Sequence, residues 1–430
     1  MQMGISINMN RNKFEWDKLI AFFLLGALCS CHDVKQHSDQ FSINMMETHC
    51  KEGGEPNLYV SESNDVYLSW IEYIEGSEVQ LRFSKLGNNQ WTNPMTVSSG
   101  NDWFVNWADF PSLISYGKDQ TLAAHWLQKS TEGTYDYDIH ISQSFDEGQN
   151  WESSFILHKD GVTAEHGFVS MLPFSQDRVF AIWLDGRNTK NDVKMSENDD
   201  SHGHHGAMSL RGATFDHEGF IYDDTEIDNR VCDCCQTSAA MTEHGPVVVY
   251  RNRSENEIRD IYIARNIDGK WQAPHSVFID DWYIPGCPVN GPVVKAKGNK
   301  VVVAWFSMAN DSPEVKVAFS NDGGANFDLP IRVDEGDPLG RVDLVLLSNS
   351  EVLVSWMESN EDEALINIAR VDENKRHEVK TVSQTKSSRQ SGFPQMVINH
   401  DNLIMAWTVS DTISTSIKSA WISLGQFFKT

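Results

Sequence analysis

The sequence of 430 residues has few basic side chains, with 35 Lys and Arg against 61 Asp and Glu, which leaves a formal net charge of −26. Every phosphate contact would have to overcome long-range repulsion, so this composition argues against nucleic-acid binding. The 3.6-residue periodicity of amphipathic helices is also missing, which excludes a helical solenoid. What the chain has is 14 Trp, 21 Phe and 10 Tyr, an enrichment typical of pleated sheets.

Long apolar runs are missing except near the N-terminus. Arg11, Lys13 and Lys18 precede the apolar run 19–28, which is too short to span a bilayer but is typical of a signal peptide. The run ends in Leu28-Cys29-Ser30-Cys31, which resembles a bacterial lipobox with Cys31 as the lipidated residue. Ordinary secretory cleavage nearby is the alternative.

These features predict three segments. Residues 1–30 form a signal peptide, residues 31–45 carry the lipid and a tether, and residues 46–430 form the folded domain. We therefore expect an exported lipoprotein of the bacterial cell envelope, in the outer membrane or periplasm. It would contact the membrane through its lipid anchor only.

An aliphatic strand that ends in an aromatic residue recurs along the chain. The seven aromatics are Trp70, Trp126, Trp183, Tyr250, Trp305, Trp356 and Trp407, and their successive spacings are 56, 57, 67, 55, 51 and 51 residues. Four short strands fit each module with no helix between them, which predicts an all-β fold, a β-propeller of four-stranded blades. We count seven modules, with six blades as the alternative. The last module has only three clear strands, so residues 42–46 are expected to add the fourth and close the ring.

Two turns between the third and fourth strands of a module share a motif. Residues 144–151 read Ser-x-Asp-x-Gly-x-x-Trp, and residues 320–327 repeat the pattern with Phe last. These Asp-boxes resemble the sialidase/neuraminidase superfamily, and the resemblance covers about residue 56 to the C-terminus. It implies a propeller whose active site uses three arginines to clamp a carboxylate, a Tyr nucleophile activated by Glu, and an Asp acid/base. The family's Arg-Ile-Pro motif is absent, and no nucleophile can be assigned, although Tyr250 and Tyr283 lie nearest to the inferred site.

In a propeller, loops that enter the innermost strands and loops that leave the second strands open on the same mouth of the central channel. Polar residues at these positions are the candidate site. The candidate catalytic residues are Asp109, Glu165 and Asp185, and the candidate ligand-binding residues are His166, Arg187, Arg251, Asn290, Arg341 and Asp343. Of these, Arg187, Arg251 and Arg341 could supply the arginine clamp that the resemblance implies. For each residue taken alone, a turn cap or a solvated ion pair is the structural alternative.

We expect a monomer that binds or cleaves a glycan, or another anionic small ligand, at this mouth. Exo-sialidase activity and another glycoside hydrolase or lyase activity are both open. The alternative is a non-catalytic propeller that binds a glycan, a metal or a protein, because the fold alone does not determine function.

Beyond the N-terminal segment there are five cysteines, Cys50, Cys232, Cys234, Cys235 and Cys287. Export favours disulfides, and a bridge from the 232–235 cluster to Cys287 would staple adjacent blades. In an extended segment Cys235 would point away from the other two cysteines of that cluster. The alternative is a Cu or Zn site built from two or three thiolates with His166. No other cofactor is expected, and the His- and Asp-rich stretch 199–205 is predicted to be a loop without an assigned site.

Overall fold

The computed structural model describes residues 41–117, 121–190, 206–410 and 414–428. The predicted signal peptide, the lipidation residue Cys31 and the stretch 199–205 lie outside these residues. Within them, seven antiparallel sheets account for most of the backbone, joined by turns and a few single-turn helices. No helix in these ranges is long and apolar enough to cross a membrane.

Each sheet begins with a strand on the central channel. These inner strands are Gly53–Val60, Ser112–Tyr116, His166–Pro173, Ser238–Thr242, Val293–Lys297, Pro338–Leu346 and Gln395–Asn399. The second strands are Val66–Tyr73, Thr121–Lys129, Arg178–Asp185, Gly245–Arg251, Lys300–Ser307, Glu351–Asn360 and Asn402–Ser410.

The third strands are Val79–Gly87, Tyr137–Ser144, Met208–Asp216, Ile261–Ile267, Glu314–Ser320, Glu363–Asp372 and Thr415–Ser423. The outer strands are Gln90–Trp91 with Met95–Gly100, Phe155–Ile156, Ile221–Val231, Lys270–Trp271 with His275–Ser276, Ile331–Arg332, Arg376–Lys386 and Asn44–Met46. Short 3₁₀ turns cover Glu75–Ser77, Arg187–Lys190, Ala309–Asp311, Arg389–Ser391 and Leu424–Phe427.

The seven sheets form a closed ring. Each inner strand contacts the inner strands before and after it, and the strand Gly53–Val60 contacts the last one, Gln395–Asn399. The last blade is completed by Asn44–Met46, which pairs with Thr415–Ser423 and places Met46 opposite Ser419. The predicted seven-bladed propeller and its closure by the N-terminal strand are both confirmed. The N-terminal strand thus supplies the outer strand of the last blade and brings both ends of the described chain into one sheet.

The recurring aromatics lie in the second strands and are buried between blades. Their indole N–H groups often bond to a polar side chain two residues further along the same strand, because alternate residues of a strand share one face. Trp183 donates to Asp185 at 2.8 Å, and Trp356 donates to Glu358 at the same distance. This contact satisfies a buried donor, so the polar residue at the end of the strand has a structural role.

The two Ser-x-Asp-x-Gly segments fold into the same turn. In the first, Gly148 N–H donates to Ser144 Oγ at 2.9 Å and Asn150 N–H donates to Asp146 Oδ1 at 2.8 Å. Gly148 has a φ of 85°, a left-handed conformation that glycine adopts without strain. Trp151 then packs edge-on against Phe83 of the preceding blade, which fastens the outer turn to its neighbour.

Candidate functional site

The central channel is lined by all seven inner strands. It encloses a cavity of about 200 Å³. Its polar lining includes Asn57, Ser112, Ser170, Lys295, Asp343 and Gln395.

A wider cleft of about 460 Å³ covers one end of this channel, and the two spaces share Ala108 and Phe168. Its walls come from loops that enter inner strands and from loops that leave second strands, as the sequence predicts for one mouth. The charged and aromatic residues that line it include Trp107, Tyr135, Glu165, Asp233, Arg253, Glu257, Arg259 and Arg389. Cys234 and Cys287 lie in the same cleft.

Glu165 is the predicted catalytic residue that reaches this cleft. It precedes the inner strand of the third blade and forms an isolated parallel bridge with Tyr137 of the second blade. The Tyr137 hydroxyl donates to Glu165 Oε1 at 2.8 Å. Burial raises the pKa of Glu165 to about 8, and the negative charges of Asp109, Asp233 and Cys287 raise it further against the lowering effect of the Tyr137 hydrogen bond. Glu165 is therefore a neutral carboxylic acid near pH 7, in contact with the cleft.

Three arginines line the cleft near this acid. Arg253 and Arg259 both bind Glu257, with closest distances of 2.9 Å and 2.8 Å. Arg389 is exposed, and among the described residues no carboxylate forms an ion pair with it. Asp233 also lies within ion-pair distance of Arg253 and Arg259, so these two arginines are paired within the cleft. Arg389 is the cleft arginine that can meet an anionic ligand.

The three arginines predicted from the sequence as a clamp do not line the cleft. Arg251 is buried and donates only to backbone carbonyls, those of Asn290, Arg259 and Phe306. Arg341 is also buried and donates to the carbonyls of Gly392 and Ser388. Arg187 is bound to Asp185 and Asp160 at 2.7 and 2.9 Å. Each guanidinium is already bonded within the fold, so the structure does not bring these three together on a ligand.

Asp109 connects two adjacent blades. Its Oδ1 accepts the Phe168 N–H at 2.7 Å, and Phe168 has a φ of 54°, a region that bulky residues rarely adopt. Burial raises the pKa of Asp109 to about 7. The carboxylate therefore stabilises a strained bulge in the next blade and lines the channel.

Asn290 plays the same part further round the ring, whereas Asp343 lies within an inner strand and makes a different contact with the next blade. Asn290 Oδ1 accepts the Arg341 N–H at 2.7 Å, and Asp343 Oδ2 accepts the Met396 N–H at 2.7 Å. Arg341 is again a residue with positive φ, 55°. Asp109 and Asn290 each lie three residues before an inner strand, and this equivalent position follows from a repeated contact between blades.

Asp185, His166 and Arg187 form a separate buried cluster with Asp138, His158 and Asp160. The rings of His158 and His166 stack with centroids 3.6 Å apart and an angle of 9° between planes. His166 Nε2 lies 3.1 Å from Asp160 Oδ2. Burial, followed by the charge of His166, lowers the pKa of His158 to about 4. An ion bound to imidazole lies near the ring plane, so two parallel rings are poorly arranged to share one metal.

The cysteines are arranged differently from the favoured prediction. Cys50, Cys232, Cys234, Cys235 and Cys287 are all free thiols, so the expected bridge to Cys287 is not formed in the structure. The segment is also not extended: a turn at Asp233 and Cys234 brings the three cluster sulfurs together. Cys232 Sγ lies 3.7 Å from Cys234 Sγ and 3.6 Å from Cys235 Sγ. His166 belongs to the aspartate–histidine cluster and not to this one.

Sequence reasoning missed Tyr137, Tyr135 and Arg389 as site residues. Tyr137 is the first residue of a third strand, and the candidate positions chosen from the sequence were only those in loops that enter inner strands or leave second strands. Its hydroxyl reaches Glu165 because neighbouring blades pack together. Tyr135 lies in the loop before it and is 52% exposed. Arg389 precedes the last inner strand, so the rule for loops that enter inner strands could have found it.

Neither a protein-family model nor a curated protein matches the sequence. Among solved structures, an ulvan lyase of polysaccharide lyase family PL25, bound to GlcA(1-4)Rha3S, is 12% identical over 89% of this chain and 95% of that chain, with a TM-score of 0.55. A protein of unknown function from Dyadobacter fermentans DSM 18053 is 12% identical over 89% and 98%, with a TM-score of 0.50. A sialidase from Streptococcus pneumoniae is 11% identical over 90% and 70%, with a TM-score of 0.43. At such identities the likeness is one of fold alone, a β-propeller.

Proposed function

We propose that the chain is a carbohydrate-acting enzyme that cleaves an anionic glycan in the cleft over the channel mouth, with Glu165 as its acid/base residue. The observation that carries this proposal is the hydrogen bond from Tyr137 to Glu165 beneath a cleft lined by three arginines. A carboxylic acid whose pKa is raised to about 8 holds its proton at neutral pH and can donate it to a leaving oxygen.

The other cleft residues suit the binding of an acidic sugar. Arg389 can contact a carboxylate or sulfate, and Arg253 and Arg259, which pair with Glu257, lie in the same cleft. The exposed ring of Tyr135 offers an apolar face against which a sugar can pack. These groups would orient the glycan so that one glycosidic oxygen approaches Glu165.

The geometry favours Glu165, and not Tyr137, as the group that touches substrate. Tyr137 is 1% exposed and its hydroxyl is held by Glu165, with Asp109 on its other side at 3.5 Å. A buried phenol of this kind positions the acid and has no path for attack on a sugar. We therefore do not propose a sialidase mechanism with Tyr137 as the nucleophile. We propose a hydrolase or a lyase that uses Glu165. The polysaccharide lyase that shares the fold supports carbohydrate chemistry in this coarse sense.

The activity test is a panel of polymers offered to the purified full chain: a polyuronate, a sulfated uronate polymer, a sialylated glycan and a neutral glucan. New reducing ends without ultraviolet absorbance identify a hydrolase, and reducing ends with the absorbance of an unsaturated uronate identify a lyase. We expect turnover of one acidic polymer and none of the neutral glucan. Saturable binding without turnover of any polymer would contradict the enzyme proposal and support a binding propeller.

For location, we propose an exported lipoprotein of the bacterial cell envelope that is anchored through Cys31. Support comes from the sequence, in which the apolar run 19–28 is followed by Leu28-Cys29-Ser30-Cys31. An anchored propeller could process polymers that reach the cell surface or the periplasm.

A further inference from the structure

We propose that Cys232, Cys234 and Cys235 bind one thiophilic closed-shell metal ion, Cu(I) or Zn²⁺, with Cys287 at the cleft side of the site. The three sulfurs lie within 4.8 Å of one another, and Cys234 also forms a side-chain contact with Cys287. The site opens on the same cleft as Glu165, and the proposal does not depend on the acid/base role of Glu165.

The spacing of the sulfurs fits ligands of a shared ion. The two distances from Cys232 Sγ are 3.7 and 3.6 Å. Sulfurs bound at about 2.3 Å to a tetrahedral ion are separated by roughly 3.8 Å, whereas a disulfide requires about 2.0 Å. The loop therefore holds the thiols at nearly the separation that a metal requires.

The surroundings of the cluster are cationic, which favours bound thiolates. Arg259 Nη1 donates to Cys232 Sγ at 3.1 Å, a contact that strengthens once the sulfur is a metal-bound thiolate. Arg251 is buried beside the same loop and donates only to carbonyl oxygens, so its charge is available to balance thiolates. A trithiolate complex of Cu(I) or Zn²⁺ carries a net negative charge. Arg251 would offset it, and Arg259, which also pairs with Glu257 and Asp233, would do so in part.

The loop is also held rigidly before any ion binds. Cys232 N–H donates to Arg251 O at 2.9 Å at one end of the loop. At the other end, the Gln236 side chain donates to Ala108 O at 2.5 Å and accepts from Gly291 N–H at 2.9 Å, which ties the loop of the fourth blade to the second and fifth blades. Because the loop is already ordered, metal binding costs little conformational entropy, and this favours a higher affinity.

The cluster has an entrance from the cleft. Cys232 and Cys235 are each 1% exposed, whereas Cys234 and Cys287 line the cleft. An ion would arrive at the two outer thiols and be passed to the buried pair. Two buried and two accessible thiols suit a site that takes up metal from solution and then shields it.

The test uses the full chain, reduced and kept free of oxygen, with Zn²⁺ and Cu(I) added in separate experiments. We expect about one ion per chain after dialysis, and Co²⁺ in place of Zn²⁺ should give sulfur-to-metal charge-transfer absorption. Cys234→Ser and Cys235→Ser should each weaken binding by at least about tenfold. Cys50→Ser is the matched control, since Cys50 is a half-buried thiol that is not part of the cluster.

The Cys287→Ser variant distinguishes the two ions. Zn²⁺ prefers four ligands and should lose affinity without Cys287, whereas Cu(I) is satisfied by three thiolates. Because Cys234 and Cys287 are accessible, their serine variants should keep the circular dichroism of the parent. Failure of the reduced chain to bind one equivalent of either ion would overturn the proposal, as would an equal loss of binding in Cys50→Ser.

Discussion

The hydroxyl of Tyr137 lies 2.8 Å from Oε1 of Glu165, although the two residues belong to different blades. The phenol is buried and Glu165 faces the cleft, so the contact fixes the orientation of the carboxyl group on the side that a ligand can reach. The same contact lowers the pKa of Glu165 against the larger raising effect of burial. The pair thus sets both the direction and the acidity of the proposed catalytic group.

Activity should depend on the protonated form of Glu165. Because its pKa is raised to about 8, turnover should persist at neutral pH and fall as the pH rises through that value. The groups that face this carboxyl are Tyr137, Asp109, Asp233 and Cys287. Tyr137→Phe removes a hydrogen bond that favours the carboxylate, so the alkaline limb of the pH–rate profile should move to higher pH.

Tyr116→Phe is the matched control for that shift, since Tyr116 is another buried tyrosine of the same blade, and its hydroxyl donates to Gln143. The alkaline limb of the pH–rate profile of Tyr116→Phe should lie at the same pH as that of the parent. An unchanged limb in Tyr137→Phe would show that Glu165 is not the group that titrates.

Arg389→Ala should weaken the binding of an acidic glycan while leaving the fold intact. The residue is exposed in the cleft, and removal of a hydrogen bond to a charged group costs about 1.5–3 kcal/mol, or roughly ten- to hundredfold in affinity. Calorimetric titration with the acidic polymer measures this loss. Arg332→Ala is the control, because Arg332 is a similarly exposed arginine on an outer strand, and its affinity should match the parent.

Asp109→Asn should flatten part of the pH dependence of stability. The folded pKa of Asp109 is raised to about 7 from an ordinary value near 4, so between these pH values the folded chain binds more protons than the unfolded chain. Its contribution to stability therefore declines as pH rises through that window. Asparagine keeps an acceptor for Phe168 N–H and has no charge to lose, so denaturant unfolding of the variant should show less decline. Asp109→Ala, without the acceptor, should be destabilised at every pH.

Cys31→Ala should abolish acylation if the lipobox is used. Cells grown with a labelled fatty acid should incorporate label into the parent chain and not into the variant, and the variant should leave the membrane fraction. Cys29→Ala is the neighbouring control and should keep the label. Label or membrane association that survives in Cys31→Ala would argue for another form of export.

The fold could be predicted from the sequence because its determinants repeat. Each of the seven recurring aromatics occupies a second strand, where it fills the gap between blades, and the spacing of these residues is visible without a structure. The closing strand was equally predictable, since a module with three strands leaves an unpaired edge. The alternation of buried and exposed residues along each strand depends on neighbouring residues in the chain, so it can be read from the sequence.

The site was less predictable because its polar residues look alike in sequence. Asp109 and Glu165 both precede an inner strand, yet Asp109 bonds to Phe168 of the next blade while Glu165 faces the cleft. The difference depends on a partner that is distant in the chain. The burial of Arg251 and Arg341 against carbonyl oxygens is likewise a property of packing between blades, which the pattern of residues does not reveal.

The most direct measurement compares the parent with Glu165→Gln on the acidic polymer that the parent cleaves. Glutamine keeps the shape of the side chain and a hydrogen-bond acceptor for Tyr137, but it has no proton to transfer. We predict a fall in kcat on the order of a hundred- to ten-thousandfold, with polymer binding by calorimetry and thermal unfolding close to the parent. A Glu165→Gln variant that cleaves the polymer at the parent rate would contradict the assignment of Glu165 as the acid/base residue.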